Sequence, residues 1–101
     1  MDTVVLTQRN ADGQLVIEII DDELAYDTME QLIEILGETF EVKVKDKADG
    51  IDERIWLVTI DGREFFVEYD DMAGFDIIPK KNDYEELVER IGSFLKGRIK
   101  T

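Results

Sequence analysis

The 101-residue chain contains no cysteine and no histidine. The first absence excludes disulfides, thiol nucleophiles and cysteine-based metal sites. The second removes the side chain most used as a general base and as a metal ligand. Serine occurs once, at Ser93, in a helix-like stretch with no histidine to activate it. No glycine loop of the P-loop or dinucleotide-binding kind is present. No apolar run approaches the length of a membrane span, and MDTVVLTQRN lacks the basic start and apolar stretch of a signal peptide. The expected location is cytoplasmic. Bases are also scarce: 12 Lys and Arg stand against 25 Asp and Glu, for a net charge of -13. That balance argues against direct contact with nucleic acid or anionic membranes, which carry the same sign. It favours basic partners, cations or no partner at all, and no cofactor is expected.

What is present is a core. At 44% apolar residues the chain has enough to fold despite its charge. The length suits one acidic domain spanning residues 1–101, with no repeat or linker and with 96–101 expected as a frayed tail.

Thr3 to Thr7 and the β-branched run Leu15 to Ile20 flank the turn-forming Asn10-Ala11-Asp12-Gly13, which predicts a hairpin. Ala25, Met29, Leu32, Ile33 and Leu36 then fall on one face of a helix. Asp21 or Asp22 is placed to cap it and Gly37 to end it in a left-handed turn. Phe40 to Lys45 alternates as a half-buried strand, and DKADGIDE, 46–53, reads as a polar loop. IWLVTIDGREFFVEY, 55–69, carries two strand patterns around Asp61-Gly62, a preferred pair for a two-residue type I′ turn. That turn sets Val58 against Phe65 and Trp56 against Val67, with Ile55, Leu57 and Phe66 on the opposite face as a candidate dimer contact. Phe75 to Ile78 reads as a short strand before Pro79. Asn82 or Asp83 is placed to cap a second helix, with Glu85 or Glu86 as capping-box partner. Its apolar face is Tyr84, Leu87, Val88, Ile91 and Leu95, and Gly97 marks its end. The order ββα-βββ(β)α predicts an α+β two-layer sandwich. It consists of a mainly antiparallel sheet of five or six strands with two helices on one face.

Chemistry is harder to find. Aligning Gly50 to the glycine of a calcium loop puts Lys45 and Lys47 at ligand positions, so the match fails. Asp70, Asp71 and Asp76 cluster around a glycine turn and raise the question of a divalent ion, although aspartate is also a good turn former. No carboxylate pair is singled out by its spacing, and no enzyme activity is expected.

One segment stands out. From Asn10 through Val42 there are ten acids and no base. Glu23, Asp27, Glu30, Glu34 and Glu38 are spaced four, three, four and four, which lines them up on a helix opposite its apolar stripe. A surface evolved to meet a basic patch concentrates acids in this way. Three readings are open. The protein is an acidic inhibitor of a basic protein, a nucleic-acid mimic acting on a DNA-binding protein, or an acidic domain with no charged partner. In all three a monomer or weak homodimer is expected.

WLVTIDGREFFVEYDDMAGF, 56–75, resembles the Trp strand, Asp-Gly turn, aromatic strand and Asp-rich turn of small bacterial immunity-type and uncharacterised proteins. The resemblance covers about a fifth of the chain. It implies a non-enzymatic interaction domain and transfers no site residue.

Overall fold

A computed structural model describes residues 3–21 and 26–99. The elements run β1 (Val4–Arg9), β2 (Leu15–Ile20), α1 (Thr28–Leu36), β3 (Val42–Asp49), β4 (Glu53–Ile60), β5 (Arg63–Asp70), β6 (Gly74–Pro79) and α2 (Glu85–Arg98). The six strands form one sheet in the order β1-β2-β6-β5-β4-β3, antiparallel at every step. The α+β sandwich expected from the sequence is the architecture found.

Turn chemistry sets the hairpins. Asn10 Oδ1 accepts from the backbone N–H groups of Asp12 and Gln14, each at 3.0 Å, which closes the β1–β2 loop. Asp61 and Gly62 have φ of 50° and 82°, the two positive values that a type I′ turn requires. Val58 accordingly faces Phe65 and Trp56 faces Val67. The side chains this places inward join one cluster with both helices: Ile17, Val58, Phe65, Val67 and Ile77 from the sheet, Met29, Leu32 and Leu36 from α1, and Val88, Ile91 and Leu95 from α2. Among the described residues no helix packs on the opposite face of the sheet. Where α2 crosses β1, Gly92 lies so close that a Cβ there would collide with Thr7 Oγ1.

Several local expectations are corrected. Phe40 is buried but precedes β3, and Asp46–Asp49 continue that strand, leaving only residues 50–52 as the turn. A bulge between Val44 and Asp46 shifts the register, so Val44 meets Val58 and Lys47 meets Trp56 on the same face. The bulge breaks the alternation that sequence patterning relies on. Val44 is 38% exposed, because β3 is an edge strand.

α1 starts at Thr28 with Asp27 at the N-cap position and no side-chain cap bond. Asp22 and Ala25 lie outside the described residues. Gly37 has φ -68°, a right-handed value. The chain leaves α1 through a tight turn in which Phe40 N–H reaches the Leu36 carbonyl at 2.9 Å, so no left-handed residue is needed.

α2 starts after Tyr84, not after Asn82 or Asp83, and carries no side-chain cap. Burial of the Tyr84 ring against Phe65, at 5.7 Å between centroids, fixes that start instead. Glu85 turns away to Arg9, at 2.7 Å. Lys96 to Arg98, expected as frayed, are helical, and Gly97 does not end the helix. Arg98 is pinned to Glu38 by two bonds of 2.8 and 2.9 Å.

Candidate functional site

The acidic line on α1 was the leading sequence candidate. Glu23 lies outside the described residues. Asp27, Glu30, Glu34 and Glu38 are all exposed, but only Glu30 and Glu34 lie within α1: Asp27 is at its N-cap position and Glu38 in the turn that follows, so the expected helical line is shorter than the sequence suggests. The structure corrects the idea that no base answers them. The bases come from elsewhere in the fold, not from the next turn of the same helix.

Arg54, on β4, is only 5% exposed and reaches out from under α1. Its guanidinium forks onto the Glu30 carboxylate, and it donates to Asp49 Oδ1 through Nε at 2.9 Å and to the Tyr26 carbonyl at 2.7 Å. Its charge lies 4.4 Å from the Tyr26 ring centre and 4.8 Å from that of Trp56. Trp56 Nε1 also donates to Asp49 Oδ1, at 2.8 Å, and Lys47 sits 4.3 Å over the Trp56 ring. The Arg54 hydrogen bonds hold the Glu30 and Asp49 carboxyls below the usual carboxylate range. Arg98 does the same to Glu38. Asp27 and Glu34 are in no ion pair among the described residues.

The Asp-rich turn divides. Asp70 Oδ1 accepts from the Met72 backbone N–H at 2.8 Å, which is turn formation. Asp76 sits within β6, away from that turn, opposite Glu68 on β5 and Glu18 on β2. The structure therefore does not gather Asp70, Asp71 and Asp76. Among the described residues no group of three or more acidic side chains is arranged to hold a metal ion. An apolar cavity of about 170 Å³ opens between Ile19, Leu32, Ile35, Phe75 and Ile99, and among the described residues no charged side chain lines it.

The sheet's helix-free face holds what sequence reasoning missed. Glu18, Asp76 and Glu68 form one line across β2, β6 and β5. All three are half-buried and in no ion pair among the described residues. Burial first, then the charges of Glu18 and Glu68, pushes the Asp76 carboxyl up to about 6. Burial and the charge of Glu53 raise that of Glu68. Ile55, Leu57 and Phe66, expected as a dimer contact, border this line. The line depends on the pairing of β2 with β6, two strands far apart in sequence, and no local pattern announces it.

No curated protein and no solved structure matches the chain. A family model described as "Protein of unknown function (DUF3630)" matches residues 5–94. That span includes the whole sheet from Val5 onward, Arg54 with its partners and the Glu18–Asp76–Glu68 line, and the chain thus belongs to the DUF3630 family.

Proposed function

We propose that this domain is a non-enzymatic interaction protein that binds a basic protein partner, in the way an immunity protein or antitoxin covers a basic target. The observation that carries the proposal is the surplus of surface carboxylates that the fold leaves unanswered. The net charge is -13, and Asp27 at the N-cap of α1 and Glu34 within it are exposed and in no ion pair among the described residues. Glu30 within α1 and Glu38 in the turn after it are exposed beside them, and Glu30 is still 56% exposed although Arg54 grips it. Such a surface speeds encounter with a cationic partner and rejects anionic ones. The domain acts as a monomer in this proposal.

The test is capture of partners from source lysate at low salt, with wild-type protein and with Asp27→Lys/Glu34→Lys. Glu30 and Glu38 are left intact because they hold Arg54 and Arg98. One basic protein retained at equal stoichiometry, released by salt and lost with the reversed variant, is the expected result. A mixed set of basic proteins retained equally by both forms would overturn the proposal.

A further inference from the structure

The helix-free face of the sheet is ordered into lines that run across the strands. One reads Leu6–Glu18–Asp76–Glu68–Ile55 over β1, β2, β6, β5 and β4. Its three acids are central and its ends are apolar, with Leu6 36% and Ile55 40% exposed. Two residues along the strands runs a parallel apolar line, Ile78–Phe66–Leu57, on β6, β5 and β4. Neighbouring strands lie about 4.8 Å apart, and residues two apart on a strand about 7 Å. The three acids therefore span roughly 10 Å, with the apolar line roughly 7 Å to one side. Glu18 accepts a hydrogen bond from the neutral Gln8 amide.

We propose that this face docks a basic amphipathic helix of a partner protein, laid across the strands. The partner's lysines or arginines meet Glu18, Asp76 and Glu68, and its apolar stripe meets Ile78, Phe66 and Leu57. The proposal rests on the basic-partner reading above and assigns it a second surface, distinct from α1. Charge complementarity selects the occupant. Among the described residues these acids are in no ion pair, and a cation beside them relieves their mutual repulsion. Apolar residues at both ends of the line and along one side of it ask for an amphipathic ligand in place of a free ion. Geometry selects the helix. One helical turn rises about 5.4 Å, close to the strand spacing, so side chains one turn apart meet successive strands. A second copy of this chain would bring the same negative line to the contact, and nucleic acid has the wrong sign. The raised Asp76 carboxyl is consistent with this reading, because a cation beside it restores its ionised form.

The experiment uses three labelled peptides with the full chain. One is an amphipathic helix of leucine and lysine, the second replaces lysine by glutamate, and the third replaces leucine by serine. Fluorescence anisotropy is measured for wild type, Glu68→Lys, Asp76→Asn, Glu34→Lys and Glu89→Lys, each checked for folding by circular dichroism. Glu89 is exposed on α2 and belongs to neither proposed surface. The leucine–lysine peptide is expected to bind wild type. It should bind about tenfold more weakly to Glu68→Lys, detectably more weakly to Asp76→Asn, and unchanged to Glu89→Lys. The serine peptide should lose about tenfold as well. Amide shifts should map to Ile55, Leu57, Phe66, Glu68, Asp76 and Ile78. Weakening by Glu34→Lys alone would overturn this docking site and leave the basic-partner reading standing. Equal binding to all variants would overturn it as unspecific attraction. A leucine–lysine peptide that bound no better than the glutamate peptide would overturn both.

Discussion

Arg54 holds Glu30 with both arms of its guanidinium, Nη1 2.9 Å from Oε1 and Nη2 2.8 Å from Oε2. The two residues are 24 positions apart, and the pair fastens α1 to the sheet. Arg54→Met is expected to destabilise the fold by about 2–3 kcal/mol, because it leaves Asp49, Glu30 and the Tyr26 carbonyl without their shared donor. Glu30→Gln should cost less, about 1 kcal/mol or below, since that carboxylate is largely in water. Urea unfolding of the two variants checks the ranking, and an equal effect would contradict the central place given to Arg54.

Asp76 ties stability to pH. Its ordinary value is 3.8 and the fold raises it to about 6. Between those values the native state binds the proton more tightly than the unfolded chain does. The stabilising contribution is thus fully present below the lower value and lost as pH rises through the upper one. Asp76→Asn should be more stable than wild type at neutral pH, by about 1 kcal/mol after allowance for solvent screening, and no different well below the ordinary value. Glu30, Glu38, Asp49 and Glu85 are shifted downward and lose their contribution as pH falls, but equally in both proteins. The difference between the two stability curves isolates Asp76.

Gly92 and Gly97 should respond in opposite directions to the same substitution. A Cβ at Gly97 meets nothing, so Gly97→Ala should gain up to about 1 kcal/mol from helix propensity. Gly92→Ala meets Thr7 and should lose about 1–2 kcal/mol on balance. Adding Thr7→Ala makes room, and thermal unfolding of the double variant should recover most of that loss.

Salt should stabilise the domain. Self-repulsion at a net charge of -13 is screened as ionic strength rises, and this outweighs the weakening of exposed pairs such as Arg9–Glu85. A melting temperature that rises by several degrees between roughly 10 mM and 300 mM sodium chloride is the expected result. A fall would mean that the exposed pairs dominate.

The chain shows its fold where structure is local. The Asp61-Gly62 turn, the Val58–Phe65 register and the apolar stripes of both helices rest on neighbouring residues and periodicity, and all are found apart from Ala25, which lies outside the described residues. Errors fall where distant contacts decide. The polar half of β3 is a strand because Lys47 and Asp49 serve Trp56 and Arg54, and its bulge hides the alternation. The ends of α2 depart from the local capping signals because Tyr84 burial and the Arg98–Glu38 pair override them. The acidic stripe was legible as a line of charge. Its two answered members were not, since Arg54 and Arg98 lie far along the sequence from Glu30 and Glu38. The open-face line was wholly hidden, because it is assembled from β2, β6 and β5.

The pairing of β2 with β6 also sets an order of events in synthesis. The β1–β2 hairpin precedes its neighbour strand β6 in the chain, and Ile17 and Ile19 find their partners Ile77 and Phe75 more than fifty residues later. Strands β3 to β6 follow one another as a meander whose ladders close between consecutive elements. Local closure is fast and distant closure slow. The meander is therefore expected to assemble before the hairpin docks along β6, and α2, which packs over β1 and β2, to settle on them once they are in place. Of the six strands, β1 and β2 are the pair expected to join the sheet last.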